Sequence, residues 1–237
     1  MIPARYGASR FPGKPLAEIA GAPMIRHVWR GARGAKSLER VVIATDDARI
    51  AEACRAFGAE VVMTRDDHPS GTDRIAEAAT GFDCDVVVNV QGDEPLIEGF
   101  VIDAAVEALA ADPEAPMATV VHAADPDAAA DPNRVKVVLD RRGRALYFSR
   151  SAIPYARGAT PRLWQHVGLY AYRRDFLARF TALEPTSAER SEGLEQLRAL
   201  ENGYPIRCGV VEGWRSAPVD VPADVARVEA LLAERRA

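Results

Sequence analysis

A chain of 237 residues, 48% of them apolar, is long enough for one large α/β domain with an elaboration or for two small domains, and can bury an ample core. Its 30 basic and 34 acidic residues nearly cancel, leaving a net charge of −4, which excludes a whole-molecule affinity for nucleic acid or an anionic membrane and confines any anion site to a local cluster of arginine and lysine. Three scattered cysteines without a CxxC exclude a disulfide framework, and the absence of an N-terminal apolar leader or an apolar run of transmembrane length sets the expectation of a soluble cytoplasmic protein.

The first sixteen residues, MIPARYGASRFPGKPL, pass from a strand end into a loop that cannot be helical. Glycines let the backbone approach a ligand, and Arg5, Arg10 and Lys14 supply the charge-assisted donors that phosphate oxygens need. A Walker A loop is the obvious rival, but five residues rather than four separate Gly7 from Gly13, and Pro15 stands where the hydroxyl residue belongs. A divalent cation bound with a nucleotide therefore has to be held by carboxylates further along the chain.

A helix is predicted over residues 23–33, with proline at its first position and Met24, Ile25 and Val28 on the apolar face. The run VVIAT at 41–45 reads as a strand buried on both faces, followed by a helix at 48–57 with Ile50, Ala53, Cys54 and Phe57 in a stripe and Gly58 as its stop, and by a strand at 60–63. This alternation argues for a doubly wound α/β fold. In HPSGTDR, Ser70, Thr72 or Asp73 is suited to cap the next helix, and Arg74, unfavourable for the helix dipole in the first turn, is expected to face a ligand. The strand VVVNV at 86–90 ends at Gln91-Gly92-Asp93-Glu94-Pro95, and ligands of open α/β sheets bind beyond such carboxyl ends. Asp93 is read as a metal ligand there, because Pro95, Ile97 and Gly99 separate it from the helix at 100–110 that it might otherwise cap.

Beyond residue 112, proline- and aspartate-rich connections bracket a short strand at 118–121. Residues 135–139 and 145–148 read as a β-hairpin about DRRG, a proline-containing loop covers 153–161, and HVGLYAY at 166–172 is a strand. One helix is predicted over 188–202 with Leu194, Leu197 and Leu200 apolar and Gly203 as its stop, then a last strand at Val210 and Val211. The closing helix carries Val225, Val228, Leu231 and Leu232 in a buried stripe. Asp220, just before it, reads either as a helix cap or, together with Asp93, as the second carboxylate of a Mg²⁺ site completed by substrate phosphates.

Taken in order, IPARYGASRFPGKPL, SGTDR, VNVQGDEP, NRVKVV, ALYFSR, HVGLYAY, LEQLR and VDVPAD resemble the 3-deoxy-manno-octulosonate (Kdo) cytidylyltransferases, the CMP-Kdo synthetases, along essentially the whole chain. The resemblance implies an α/β fold with a mixed, mostly parallel doubly wound sheet of the nucleotide-diphospho-sugar transferase type. The texture of the loops places a nucleotide-binding core at 1–115 and 211–237 and a smaller inserted subdomain at 116–210, to which the resemblance assigns sugar binding and dimerisation. The implied reaction is CTP plus Kdo giving CMP-Kdo and pyrophosphate, with Mg²⁺, in a cytoplasmic homodimer serving lipopolysaccharide biosynthesis. By matching motif, Arg5, Arg10 and Lys14 hold the triphosphate; Ser70, Thr72, Arg74 and Gln91 surround the cytosine and ribose; Asp93 and Asp220 bind the metal, Arg10, Lys14, Asp93 and Asp220 being the catalytic set. Arg150, His166, Tyr170, Glu195 and Gln196 line the sugar site, with Arg150 on the Kdo carboxylate. Two departures stand out: the opening strand has fewer apolar residues than the family's, and Val221 replaces the family's usual threonine. Amino-Kdo or a sialic acid is the alternative substrate, and a catalytically silent nucleotide sensor the alternative class. No general base is evident from the residues.

Overall fold

In the computed structural model, which describes residues 1–7, 10–125, 129–158 and 162–235, the chain forms two compact units: residues 1–103 with 216–237, and residues 104–215 inserted between them in sequence. The first boundary lies earlier, and the second later, than the 115/116 and 210/211 expected from loop texture. It falls inside a helix because packing, not the proline content of the connections, sets where a unit ends.

In the first unit, chain order runs β1 (Ile2–Ala4), a 3₁₀ turn (Lys14–Leu16), β2 (Glu18–Ile19), β3 (Ala22–Pro23), α1 (Met24–Arg33), β4 (Val42–Thr45), α2 (Ala48–Ala56), β5 (Glu60–Met63), α3 (Gly71–Ala79) and β6 (Val86–Val90), then enters α4 (Gly99–Ala111). β1 pairs parallel with β4 and β4 parallel with β5, with Ile2 opposite Ile43 and Val42 opposite Glu60. On the other flank of β1, Met1 N donates to Val88 O (2.6 Å) and Val90 N donates to Met1 O (2.9 Å), the pattern of a parallel pair. The order is therefore β5-β4-β1-β6. The chain winds outward from β1 and then returns to its other side, so the switch point lies between β1 and β6, and the loops after these two strands border the crevice.

Local chemistry explains the helices. Pro23 caps α1 rather than opening it: its ψ of 140° is extended, and helical geometry begins at Met24. Met24, Ile25, Val28, Trp29 and Ala32 form the buried face. Asp47 caps α2 by accepting from Arg49 N (2.9 Å), and Ile50, Ala51 and Cys54 are buried while Ala53 and Phe57 are only half-buried. The last helix of the chain returns to this unit. It runs Ala223–Glu234, and its Val228, fully buried, joins Ile19, Met24, Leu96, Ala217 and Val219 in an apolar cluster against which Phe11, Val225, Leu231 and Leu232 pack.

The second unit continues α4 and adds β7 (Met117–Ala123), β8 (Lys136–Leu139), β9 (Ala145–Ser149), β10 (Trp164–Arg173), α5 (Arg174–Thr181), α6 (Ser187–Glu192), α7 (Leu197–Glu201) and β11 (Ile206–Val211). The closing helix Ala223–Glu234 is thus α8. The sheet order is β11-β7-β10-β8-β9, parallel at β11–β7 and antiparallel elsewhere, so the protein combines parallel and antiparallel pairing. The β8–β9 turn is held by Asp140 Oδ1, which accepts from Arg142 N and Arg144 N at 2.8 Å each.

The single helix predicted over 188–202 is two helices. Gly193 takes a left-handed φ of 60° and ends α6, and α7 does not begin until Leu197. The leucine spacing runs across the break because Leu194, in the connection, and Leu197, in α7, are both buried, while α6 buries no residue. The β2–β3 hairpin, with two residues a strand, is too short to carry a period and was not anticipated; nor was α5, whose Phe176, Leu177 and Phe180 are buried at helical spacing. Residues 159–161 of the proline-containing loop, residues 8–9 of the opening loop and residues 126–128 of the aspartate-rich connection lie outside the described residues. All three cysteines are free thiols, Cys54 and Cys208 buried.

Candidate active site

A cleft of about 280 Å³ in the first unit is lined by the loop after β1, the N-terminus of α3, the loop after β6 and Asp220. Arg5, Arg10, Lys14, Ser70, Arg74, Gln91, Asp93 and Asp220 all border it, so chain segments as far apart as residues 5 and 220 meet at the switch point. The opening loop is shaped locally. Gly13 N donates to Tyr6 O (2.9 Å), Gly13 itself sits at φ 72°, and the Arg49 guanidinium stacks 3.4 Å from the Tyr6 ring centroid.

Cations and carboxylates face each other across the cleft. Lys14 Nζ donates to Asp93 Oδ2 and to Val219 O, each at 3.0 Å, and lies 3.9 Å from Asp220 Oδ1; Arg10 Nη2 donates to Asp220 Oδ1 at 2.9 Å. The Lys14 pair is the more sheltered, its ammonium side chain 16% exposed against 65% for Arg10. Asp220 is not a helix cap. The N-terminus of the last helix carries no side-chain cap; instead Asp224 Oδ2, in its first turn, reaches back to accept from Asp220 N (2.9 Å) and Val221 N (3.0 Å), and the Asp220 carboxylate is left to the cleft.

Among the described residues no group of three or more His, Cys, Asp or Glu side chains forms a metal cage. What exists is a pair of carboxylates converging on one point now held by the Lys14 ammonium. That donor set suits Mg²⁺, which takes one or two protein carboxylates and fills the rest of its shell with phosphate oxygens and water.

Other predicted residues are already engaged. Ser70 caps α3, accepting from Thr72 N (3.1 Å) and Asp73 N (3.2 Å) and donating to Asp73 Oδ2 (2.7 Å). Arg74 borders the cleft, yet its guanidinium donates to Asp46 Oδ2 at 3.0 Å and to Thr64 and Arg65 O, so its position in the first turn is explained by a buried ion pair with the end of β4. The Thr72 side chain is buried and accepts from Asn89 Nδ2 (3.4 Å); it does not border the cleft. Gln91 Nε2 donates to Asn89 Oδ1 at 3.2 Å.

Two residues beside the cleft escaped sequence reading. His68 borders it and bonds through Nε2 to Glu77 Oε2. Burial works against ionisation of Glu77, but the bonds from His68 and Arg65 hold its carboxyl below the ordinary range. The HPSG string preceding the helix was the available signal. Glu94, next to Asp93, is buried, and burial pushes its carboxyl up to about 7 against the hydrogen bonds from Ser216 and Ala217.

Arg150, His166, Tyr170, Glu195 and Gln196 all belong to the second unit. Arg150 is committed to three carbonyls, Nε to Glu192 O (2.6 Å), Nη1 to Pro132 O (3.0 Å) and Nη2 to Gly193 O (3.2 Å), and its own carbonyl accepts from the fully buried Lys136 Nζ (2.6 Å). His166 Nε2 lies 2.9 Å from Thr119 Oγ1, whose single proton goes to Leu169 O (2.7 Å); Nε2 is therefore the donor. Burial pushes His166 down to about 3 and Tyr170 well above the usual phenol range, and their rings lie 5.4 Å apart. Glu195 Oε1 is 3.9 Å from Arg198 Nη2, and the Gln196 amide nitrogen is buried without a partner among the described residues.

Comparison with known proteins agrees with this geometry. The family model described as Cytidylyltransferase matches residues 1–207. A 3-deoxy-manno-octulosonate cytidylyltransferase from Syntrophotalea carbinolica is 53% identical, with 98% of this chain and 97% of the relative covered. One from Pseudomonas syringae pv. tomato is 54% identical over 98% of this chain and 96% of its own. The solved structure of CMP:2-keto-3-deoxy-manno-octonic acid synthetase complexed with CTP superposes with a TM-score of 0.93 at 46% identity, covering 99% of this chain and 97% of that one. A cleft at the switch point of a parallel sheet, lined by the kinds of charge that nucleotidyl transfer requires, and likeness over nearly the full length lead to one conclusion: this chain is a nucleotidyltransferase belonging to the 3-deoxy-manno-octulosonate cytidylyltransferase family.

Proposed function

We propose that the protein catalyses CTP + Kdo → CMP-Kdo + pyrophosphate, supplying activated sugar for lipopolysaccharide biosynthesis. The observation that carries the reading is the meeting of Arg5, Arg10 and Lys14 with Asp93 and Asp220 in one cleft, in a chain 53% identical to a Kdo cytidylyltransferase. In the reaction the anomeric hydroxyl of Kdo attacks the α-phosphorus of CTP in line. The bond from that phosphorus to the α,β-bridging oxygen breaks, pyrophosphate leaves with the electron pair, and the hydroxyl proton passes to solvent.

Arg5, Arg10 and Lys14 bind the triphosphate, and Arg10 and Lys14 neutralise the charge that gathers on the departing pyrophosphate. To do so they exchange Asp220 and Asp93 for phosphate oxygens. Asp93 and Asp220 then hold Mg²⁺, which when bound adds Lewis-acid stabilisation of the phosphoryl oxygens and acidifies a nearby hydroxyl. Ser70, Arg74 and Gln91 border the base and ribose, with Thr72 supporting them from beneath through Asn89.

In the second unit, Arg150 pairs with the Kdo carboxylate, His166 and Tyr170 meet sugar hydroxyls as neutral hydrogen-bonding groups, and Glu195 and Gln196 complete the sugar site. The orphaned Gln196 amide nitrogen supports that role, since a buried donor without a partner is costly unless a ligand answers it. The same unit exposes Leu146, Tyr147 and Val210, apolar surface of the kind a homodimer covers. The enzyme works in the cytoplasm, where CTP is made.

The test is pyrophosphate release by the purified protein with CTP, Mg²⁺ and Kdo, each omitted in turn and with sialic acid in place of Kdo. Release that requires all three and fails with sialic acid is the expected result; release with sialic acid alone overturns the substrate.

A further inference from the structure

Glu94 stands one residue beyond Asp93, yet it lies buried behind the cleft instead of bordering it. Taking a carboxyl group out of water is unfavourable unless its oxygens are hydrogen-bonded, and here one segment satisfies both. Oε1 accepts from the Ser216 hydroxyl and Oε2 from Ala217 N at 3.1 Å. The partners are 122 and 123 positions away in sequence, so no local structure sets the spacing of the two loops. Further links join them: Val219 N donates to Asp93 O (2.9 Å), Lys14 Nζ bridges Asp93 Oδ2 and Val219 O, and Leu96, Ala217 and Val219 share one apolar cluster. Backbone bond and apolar contact hold the segments together. Among the described residues that join the two segments, Glu94 contributes two directional acceptors, which fix Ser216 and Ala217, a few residues ahead of Asp220, against the loop after β6.

We propose that Glu94 is a positioning residue: by clasping Ser216 and Ala217 it sets the separation of Asp93 and Asp220, and so the affinity of the pair for a divalent cation. The inference rests on the reading of those two carboxylates as cation ligands. It predicts that glutamine, whose carbonyl can accept from Ala217 N while its amide donates to Ser216 Oγ, preserves the clasp, whereas alanine abolishes it and leaves the backbone bond and apolar cluster in place.

Free Mn²⁺ is titrated against the full-length protein with CTP present, by electron paramagnetic resonance, for Glu94→Ala, Glu94→Gln, Ser216→Ala and Asp93→Asn, with pyrophosphate binding in chelator as the metal-independent control. Expected is a loss of about tenfold or more in Mn²⁺ affinity for Glu94→Ala and roughly threefold for Ser216→Ala, with pyrophosphate binding unchanged and Glu94→Gln close to the parent. Parental Mn²⁺ affinity in Glu94→Ala, or Glu94→Gln as weak as alanine, overturns the proposal. Should Glu94→Ala not fold, Ser216→Ala decides alone, parental affinity counting against the clasp. If Asp93→Asn also binds Mn²⁺ like the parent, it is the metal reading that fails and not the clasp alone.

Discussion

The two units hold their functional groups in opposite ways. In the first, Lys14 with Asp93 and Arg10 with Asp220 are charge pairs across an open cleft, each partner able to exchange the other for phosphate or metal. In the second, His166 and Tyr170 are buried and neutral, and Arg150 is fastened to three backbone carbonyls. A polyphosphate–metal site can be stored as its own counter-ions, since exposed pairs are weak and reform easily. A site for hydroxyl groups has no such stand-in, so its geometry has to be built into the packing.

The sharpest way to break the comparison is at the metal. Asp93→Asn keeps the volume and the acceptor for Lys14 but removes the charge; pyrophosphate release is expected to fall about a thousandfold or more while the thermal melt stays near the parent's. Normal turnover by this variant would remove Asp93 from the catalytic set.

Next in size is a pH effect confined to the second unit. The folded protein keeps His166 neutral down to about 3, whereas the unfolded chain takes up a proton near the ordinary 6.5. Between these values the unfolded state binds more protons, so stability is complete above about 6.5 and is lost as pH falls toward 3, on the order of 4 kcal/mol over the window. Urea melts at pH 7.5 and 5 are expected to show the first part of this loss, about 2 kcal/mol, and His166→Gln to flatten it; an unchanged slope in the variant assigns the acid sensitivity elsewhere.

Arg150→Met tests the built-in geometry directly. It strands the carbonyls of Glu192, Gly193 and Pro132, and is expected to raise the KM for Kdo by about tenfold while the KM for CTP stays constant, read from initial rates. Equal increases in both would mean that Arg150 does not serve the sugar. The smallest effect is the most diagnostic of counter-ion storage. Lys14→Met weakens CTP binding, yet without nucleotide it should tighten Mn²⁺ binding a fewfold, because the ammonium no longer competes for Asp93. Weaker Mn²⁺ binding in that variant would mean that Lys14 supports the metal rather than standing in for it.

How much of this was legible depended on the range of the interactions. Strands β4 and β6 announced themselves because a run buried on both faces is apolar throughout, and the end of the second pointed to Asp93. The break at Gly193 was hidden because Leu194 and Leu197 continue the helical spacing on either interpretation. Arg74 was expected to face a ligand, but its guanidinium is held by Asp46, 28 residues earlier, which a parallel sheet brings alongside. Glu94 was passed over since its partners are more than a hundred positions away.

By itself the sequence determined which residue types end each buried strand, that loop cations and two carboxylates were available, and which family the ordered motifs resemble. The tertiary structure alone decided which carboxylate meets which cation, that the Asp220 carboxylate faces the cleft instead of capping the last helix, and that Glu94 is turned inward to Ser216 and Ala217. The physical reason is that propensity and periodicity act over a few residues, whereas charge pairing and burial depend on distances that only the closed fold establishes.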